Sequence, residues 1–300
     1  MTTVLIAGAT GMLGSRIGHF LVGQPDVTVR LLAREGWDGD PTKRERIEPL
    51  LQGGADILIA DLAEPGSLTE ALRGVDVVIS ALQGHREVIV DGQIAIAEAA
   101  VRSGVRRFIP SDFAVDLFNA PAGAPQFEAR KDAGREIDAM DLQVVHVLSG
   151  AFMDLMFGPG SAGPVDLNTG SVAYWGTGDE PFDLSTVDDT ARFTARLAVD
   201  PDVHAGVHTI SAGPTTYKQI ARTIERVTGV TLNSKNLGDD QQLREAIEAK
   251  SDPWDALYEW YALAMLKTPV FASPENSRYQ DAQPTRVEEY LTAAYGSVAV

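Results

Sequence analysis

The chain has 300 residues, 44% of them hydrophobic, enough for one large α/β domain or for a nucleotide domain with a smaller substrate region. A formal net charge of -17 argues against a general binder of nucleic acid or of anionic membrane, so an anionic ligand must find a local cationic pocket. No cysteine is present, which excludes disulfides, thiolate catalysis and Cys-ligated zinc or iron–sulfur centres. The histidines (His19, His85, His146, His204, His208) show no H-E-x-x-H spacing. His204 and His208 stand four apart, but Gly206 between them favours a strand over a helix, so no metal site is expected. Met1 is followed directly by a strand pattern, without a cationic and apolar leader, and no apolar run reaches the length of a membrane span. The expectation is a soluble, cytoplasmic protein.

Val4-Leu-Ile-Ala7 is a short apolar run of the kind found in buried parallel strands. It stops at Gly8, and a helical pattern follows from about Gly11 to Gly23. Val27–Ala33 predicts a second strand, Lys43–Leu51 a charged helix, Ile57–Ala60 a third strand and Pro65–Leu72 a helix. Val75–Leu82, Glu87–Ser103 and Arg107–Pro110 continue the alternation as strand, helix and strand. A loop rich in Ala, Pro and Gly then leads to a helix over Phe127–Met140 and a sixth strand over Val144–Leu148. This alternation predicts a doubly wound parallel sheet, a Rossmann α/β fold. After Phe152 the character changes. The Gly-rich stretch 158–178 predicts loops and short strands; helices are expected over Val187–Val199, Thr216–Thr228, Asp239–Lys250, Trp254–Leu266 and Val287–Ala294, with a strand at Val207–Ile210. The expected division is a nucleotide-binding domain over 1–152 and a smaller C-terminal α/β substrate region over 153–300, some of it packing back on the first.

Gly8, Gly11 and Gly14 stand at G-x-x-G-x-x-G spacing, which differs from the G-x-G-x-x-G of many dehydrogenases. A glycine turn between strand and helix lets backbone approach a pyrophosphate, and the helix N-terminus supplies free N–H donors. Thr10, Met12 and Leu13 share that turn. The plain alternative is a turn whose glycines serve packing only. Arg34 follows the second strand, where an acidic group would hold an NAD ribose and a cation would accept a 2′-phosphate. The neighbouring Glu35 would reverse that assignment if the register slipped by one, and a solvated surface arginine is the other reading. Lys43 can add a second cation. Asp61 ends the third strand and suits either the adenine amino group or a helix cap near Glu64. Ala81, Leu82 and Gln83 leave the fourth strand beside the glycine turn, with His85 beyond them.

Phe127-Glu-Ala-Arg-Lys131 sits where short-chain dehydrogenases place Tyr-x-x-x-Lys on one helix face. A phenyl ring cannot donate a proton, so tyrosine-driven ketone chemistry is not available. Lys131 remains as a candidate general acid or base, against the reading of a surface lysine among charged neighbours. Phe152 and Met153 follow the sixth strand and are the expected substrate contacts. Phe157, Tyr174 and Trp175 read more simply as core.

Gly8–Gly14, Arg34-Glu35, Asp61-Leu62, Val77–Ser80, Arg107-Phe-Ile-Pro-Ser-Asp-Phe113 and Lys131, in this order and spacing, resemble the isoflavone reductase-like group. This is a branch of the atypical short-chain dehydrogenases/reductases that also holds the NmrA-like proteins. The likeness is good over residues 3 to 155 and extends to the rest in layout. It implies NADPH at the strand ends, the 2′-phosphate on Arg34 and Lys43, and contacts from Ser111, Phe113, Lys131 and Phe152. It implies Lys131 as the acid/base. In aryl ether reduction that lysine would deprotonate a phenol, the ether would open to a quinone methide, and hydride would follow; in alkene reduction it would protonate an enolate. The expected activity is therefore NADPH-dependent reduction of a small aromatic ether, conjugated alkene or quinone. A homodimer is compatible with this. The second expectation is an NmrA-like NADP-binding redox sensor acting through a protein partner without turnover. A nucleotide-sugar epimerase or dehydratase is weaker, because the tyrosine is missing.

Overall fold

The computed structural model describes residues 1–161 and 163–296. Val4, Leu5, Ile6 and Ala7 are wholly buried, so the first apolar run does become an interior strand, β1 (Thr2–Ala7). It pairs in parallel with β2 (Val27–Ala33) on one side. β2 in turn pairs with β3 (Asp56–Ile59). On the other side β1 pairs in parallel with β4 (Val77–Ser80). β4 pairs with β5 (Arg107–Ile109), and β5 with β6 (Gln143–Leu148), again in parallel. With strand Gly206–Thr209 beside β6, the sheet has seven strands. The direction of chain progress across the sheet reverses between β1 and β4. In open α/β sheets ligands bind in the crevice at such a reversal, outside the C-terminal strand ends.

Helices cover both faces. α1 (Met12–Leu21) and α2 (Pro41–Gln52) meet at Gly18, where an added Cβ would press on Leu50 of α2 at 2.8 Å and touch Ile6 of β1. On the opposite face, α3 (Pro65–Ala71), α4 (Gln93–Ser103) and α5 (Pro125–Asp138) close over a core that includes Leu5, Leu32, Val78, Phe108 and Val144. Leu68, Ile96, Ala133 and Ile137 are the helical contributions. Burying a Leu, Ile or Val side chain of this kind contributes about 1.5–3 kcal/mol.

Local chemistry explains where elements start. α2 begins at Pro41, two residues before the sequence pattern places it, because Asp40 caps it by accepting the N–H groups of Thr42 (2.9 Å) and Lys43 (3.4 Å). The expected helix from Glu87 opens as one π-turn, Glu87–Gly92, before α4. β4 is shorter than the apolar run suggests, since Ala81 and Leu82 already leave the ladder. The helix expected from Trp254 opens as a short 3-10 turn, Pro253–Ala256, and is α-helical over Leu257–Lys267.

Two compact units emerge. The first comprises Met1–Asp112, Glu128–Val147 and Thr190–His208; the second comprises, among the described residues, Phe113–Phe127, Leu148–Asp189 and 209–296. The chain therefore crosses between units repeatedly instead of dividing at one point. The second unit has two three-stranded sheets of short strands. Its core holds an aromatic cluster in which Tyr217 packs on Phe182 (4.9 Å) and stacks on Tyr174 (5.6 Å). Thr216 and Gln219 form a capping box at the start of helix Tyr217–Thr228.

One buried cation ties the first unit together. Arg107 on β5 is 1% exposed. Its guanidinium donates to the carbonyls of Leu197 (2.7 Å), Ala198 (2.8 Å) and Asp200 (2.9 Å), and to Gln143 Oε1 (2.7 Å). It thus caps the C-terminal end of helix Val187–Val199, where the helix dipole favours positive charge. Arg107→Met should strand several buried acceptors at about 1–3 kcal/mol each and lower stability by at least about 3 kcal/mol. A fall in the urea midpoint at unchanged slope is the expected reading; a midpoint equal to wild type would remove this capping role.

Candidate functional site

The site begins where β1 ends. Gly8 has φ +82°, and a Cβ there would stand 2.4 Å from the Ala81 carbonyl oxygen, which leaves β4 directly beneath the turn. Only glycine meets both demands. Ala81 N–H also donates to Ala7 O at 2.8 Å, which fixes the approach. Gly14 makes the second close passage, since a Cβ there would sit 2.4 Å from Gly8 O and 3.0 Å from Ala9 Cα. Gly11 N–H donates to Gly8 O at 2.9 Å. The N-cap of α1 is Gly11, with no side-chain cap and no acidic residue in the first turn. The amides of Met12, Leu13 and Gly14 therefore form an uncapped, electropositive helix end at the reversal of strand order. This is a cradle shaped for a phosphate. Thr10, Gly11, Met12 and Leu13 are half-buried and Gly14 is buried.

Cations stand on the β2 side. Arg34 is exposed just past β2, and its side chain has no hydrogen bond or ion pair among the described residues. Lys43, in the first turn of α2, lies 3.8 Å from Asp40. Arg46, one helical turn beyond Lys43, was not singled out by the sequence pattern; its Nη1 donates to Thr10 O at 3.2 Å and so braces the glycine turn. The i,i+3 spacing from Lys43 is the signal that could have found it. Asp61 accepts the Ala63 N–H at 2.9 Å within its own turn, and the N-cap of α3 is Glu64. Asp61 thus organises the strand exit without capping α3.

The β4 and β5 exits are joined through Ser111, which is 5% exposed. Its Oγ donates to Leu82 O (2.8 Å), its N–H to Gln93 Oε1 (2.8 Å), and its carbonyl accepts from Arg130 Nε (2.8 Å). Arg130 also reaches Gln83 Oε1 at 3.4 Å. Gln93 is wholly buried and Arg130 nearly so, yet in the sequence both read as ordinary helix positions. Lys131 follows on α5. It pairs with Glu128 at 3.1 Å, with 19% of its side chain exposed. Asp132 pairs with Arg86 at 2.7 Å, which latches the segment after β4 to α5. His85 is exposed beside that latch.

Beyond Ser111 lies Asp112, 1% exposed, whose Oδ2 meets His146 Nδ1 at 2.7 Å. His146 Nε2 meets Asp138 Oδ1 at 3.0 Å. Burial alone would lower the His146 pKa, but the hydrogen bonds and charges of Asp112 and Asp138 outweigh it and raise it above the ordinary value.

In the second unit, Phe113 is buried and Phe152 half-buried. Met153 is 0% exposed within the unit's hydrophobic core, which gives its side chain a packing role. Phe157 and Tyr174 belong to the same core, and Trp175 packs on a smaller cluster around Leu243 and Leu263. Phe127, at the position of the short-chain dehydrogenase tyrosine, is 1% exposed and meets Tyr261 edge-on at 5.2 Å. Among the described residues no helix is long and apolar enough to cross a membrane.

Known proteins resemble this chain along most of its length. Phenylcoumaran benzylic ether reductase Pyrc5 of Pyrus communis is 28% identical over 308 residues, spanning 96% of this chain and 97% of that protein. The crystal structure of isoflavone reductase matches with a TM-score of 0.83 at 24% identity, covering 97% of this chain and 99% of that one. AtPrR2 with NADP+ and (+)pinoresinol matches with a TM-score of 0.83 at 23% identity, covering 97% and 98%. Both structural likenesses bear on the fold, and both agree with the doubly wound α/β class read from the sequence. The family model for the NmrA-like family matches residues 1–291, and the chain belongs to that family.

Proposed function

We propose that this protein is an NADPH-dependent reductase of a small aromatic substrate: a phenylpropanoid or lignan-type ether, a conjugated alkene or a quinone. The observation that carries the reading is the uncapped α1 N-terminus in a turn that admits no Cβ at Gly8 or Gly14, with the unpaired Arg34 just past β2. The reductase from Pyrus communis and the pinoresinol complex of AtPrR2 supply the substrate class by likeness.

The residues present fit a dinucleotide phosphate. The amides of Met12, Leu13 and Gly14 would take the pyrophosphate, and Arg34 and Lys43 the 2′-phosphate. Ala81, Leu82, Gln83 and Ser111 would border the ring end, with Asp61 toward the adenine. NADPH bound there supplies hydride. The chain's own part is proton handling at Lys131 Nζ. Its partner Glu128 stabilises the ammonium once a proton is gained, and the buried Arg130 beside it fixes the helix against Ser111. With Phe127 where the tyrosine would be, no hydroxyl at that position competes for the role.

Arg34→Ala should weaken NADPH binding about ten- to hundredfold and leave NADH binding nearly unchanged, since one charge-assisted contact contributes about 1.5–3 kcal/mol. Titration by nicotinamide fluorescence reads this directly; equal losses for both nucleotides would move the 2′-phosphate elsewhere. Lys131→Ala should keep NADPH affinity and lower turnover of the aromatic substrate by about 10²–10⁴-fold. Steady NADPH oxidation by this variant at the wild-type rate would strip Lys131 of the proton-transfer role.

A further inference from the structure

We propose that His146 is a positioning residue: as a doubly donating imidazolium it staples α5, the helix that carries Lys131, to the β5 exit through Asp138 and Asp112. The significance for turnover rests on the reductase reading above; the staple itself does not. A neutral imidazole has one N–H and can donate to only one carboxylate. Here both ring nitrogens lie within hydrogen-bond distance of carboxylate oxygens, at 2.7 and 3.0 Å, so both contacts are made only when the ring is protonated. Asp112 gives the staple its strength. It is 1% exposed, and its Oδ1 has no hydrogen-bond partner among the described residues, so the imidazolium is the charge that compensates it. Asp138, by contrast, has a side chain 54% exposed and closes the solvent end.

α5 is therefore held to the β5 exit at two points eight residues apart: Arg130 on the Ser111 carbonyl, and Asp138 through His146 on Asp112. Lys131 lies between them, one residue from the first. The charged groups that act on the ring are Asp112 from the β5 exit and Asp138 from α5. Arg135 on α5 pairs with Asp132, and Arg107 on β5 is spent on Gln143 and helix carbonyls. On the strand beside β6, His208 Nε2 donates to His204 O at 3.0 Å.

The imidazolium's contribution to stability is present in full below the ordinary histidine pKa of 6.5 and is lost as pH rises through the raised value of the folded state. The experiment compares wild type, His146→Gln and Asp138→Asn by thermal unfolding from about pH 5.5 to 9, and by amide hydrogen exchange over α5. His146→Gln should lower Tm by on the order of 5–10 °C at the acid end, and the gap to wild type should narrow as pH rises. Asp138→Asn removes an exposed group and should fold normally while losing exchange protection from about Arg130 onward. A Tm gap that is constant with pH marks mere packing and overturns the proposal, as does wild-type protection of α5 in Asp138→Asn. In turnover, both variants should lower kcat and leave NADPH affinity unchanged; an unchanged kcat in a variant that has lost α5 protection removes the positioning role. If wild type oxidises no NADPH when offered aromatic ether, conjugated alkene or quinone acceptors, the reductase reading fails, and the unfolding and exchange data still decide the staple.

Discussion

The passage of Gly8 against the Ala81 carbonyl is the constraint on which the rest of the first unit's site depends. It brings the turn after β1 and the exit of β4 into direct backbone contact at the point where strand order reverses. From there a continuous set of bonds leads outward. Ala81 is held by Ala7, Leu82 by Ser111, and Ser111 by Gln93 and Arg130. Each link is short and mostly buried, so a displacement at the turn is transmitted to α5 by packed groups that have little room to absorb it. The glycine turn and Lys131 are parts of one framework, although more than a hundred residues separate them.

Charge is distributed against the trend of the chain. A protein with a net charge of -17 repels anions at long range, yet the residues around the glycine turn and the β5 exit include Arg34, Lys43, Arg46, Arg130 and Lys131. Several are already committed: Arg46 to Thr10 O, Arg130 to Ser111 O, Lys131 to Glu128. Among the described residues the Arg34 side chain has no such partner. An acidic surround also sharpens selection, because an anion gains only where local cations outweigh the overall field.

Much of the architecture was legible in the sequence because burial leaves a period. β1 and β2 are apolar runs with glycine or charge at their ends, and helix Val187–Val199 carries its apolar stripe at helical spacing. The short strands of the second unit left no such trace. Asn233–Asn236 is polar and exposed throughout, held by pairing to Ser171–Tyr174 and by side-chain bonds from Asn233 to Gly170 O and from Asn236 to Gly176 O, and two-residue strands have no period to read. The site divides in the same way. Arg34 and the glycines follow from position in a strand–turn–helix unit. Gln93 and Arg130 were missed because their burial is set by Ser111, eighteen and nineteen residues away. His146 and Asp112 are separated by 34 residues and meet only once β5 and β6 pair.

The capping of helix Val187–Val199 by Arg107 has a consequence for how the chain matures on the ribosome. Arg107 is made about 90 residues before the carbonyls that accept from it. At about 5–20 residues per second, the guanidinium waits roughly 5–20 s in water before its shell exists. During that interval Phe113–Phe127 and Leu148–Asp189, both parts of the second unit, are already emerging. Because Thr190–His208 belongs to the first unit, that unit is incomplete until after Leu148–Asp189 of the second has been made. A nascent chain halted after β6 would carry an uncovered sheet with Arg107 solvated where the complete chain buries it, and exposed apolar surface of this kind is what chaperones bind.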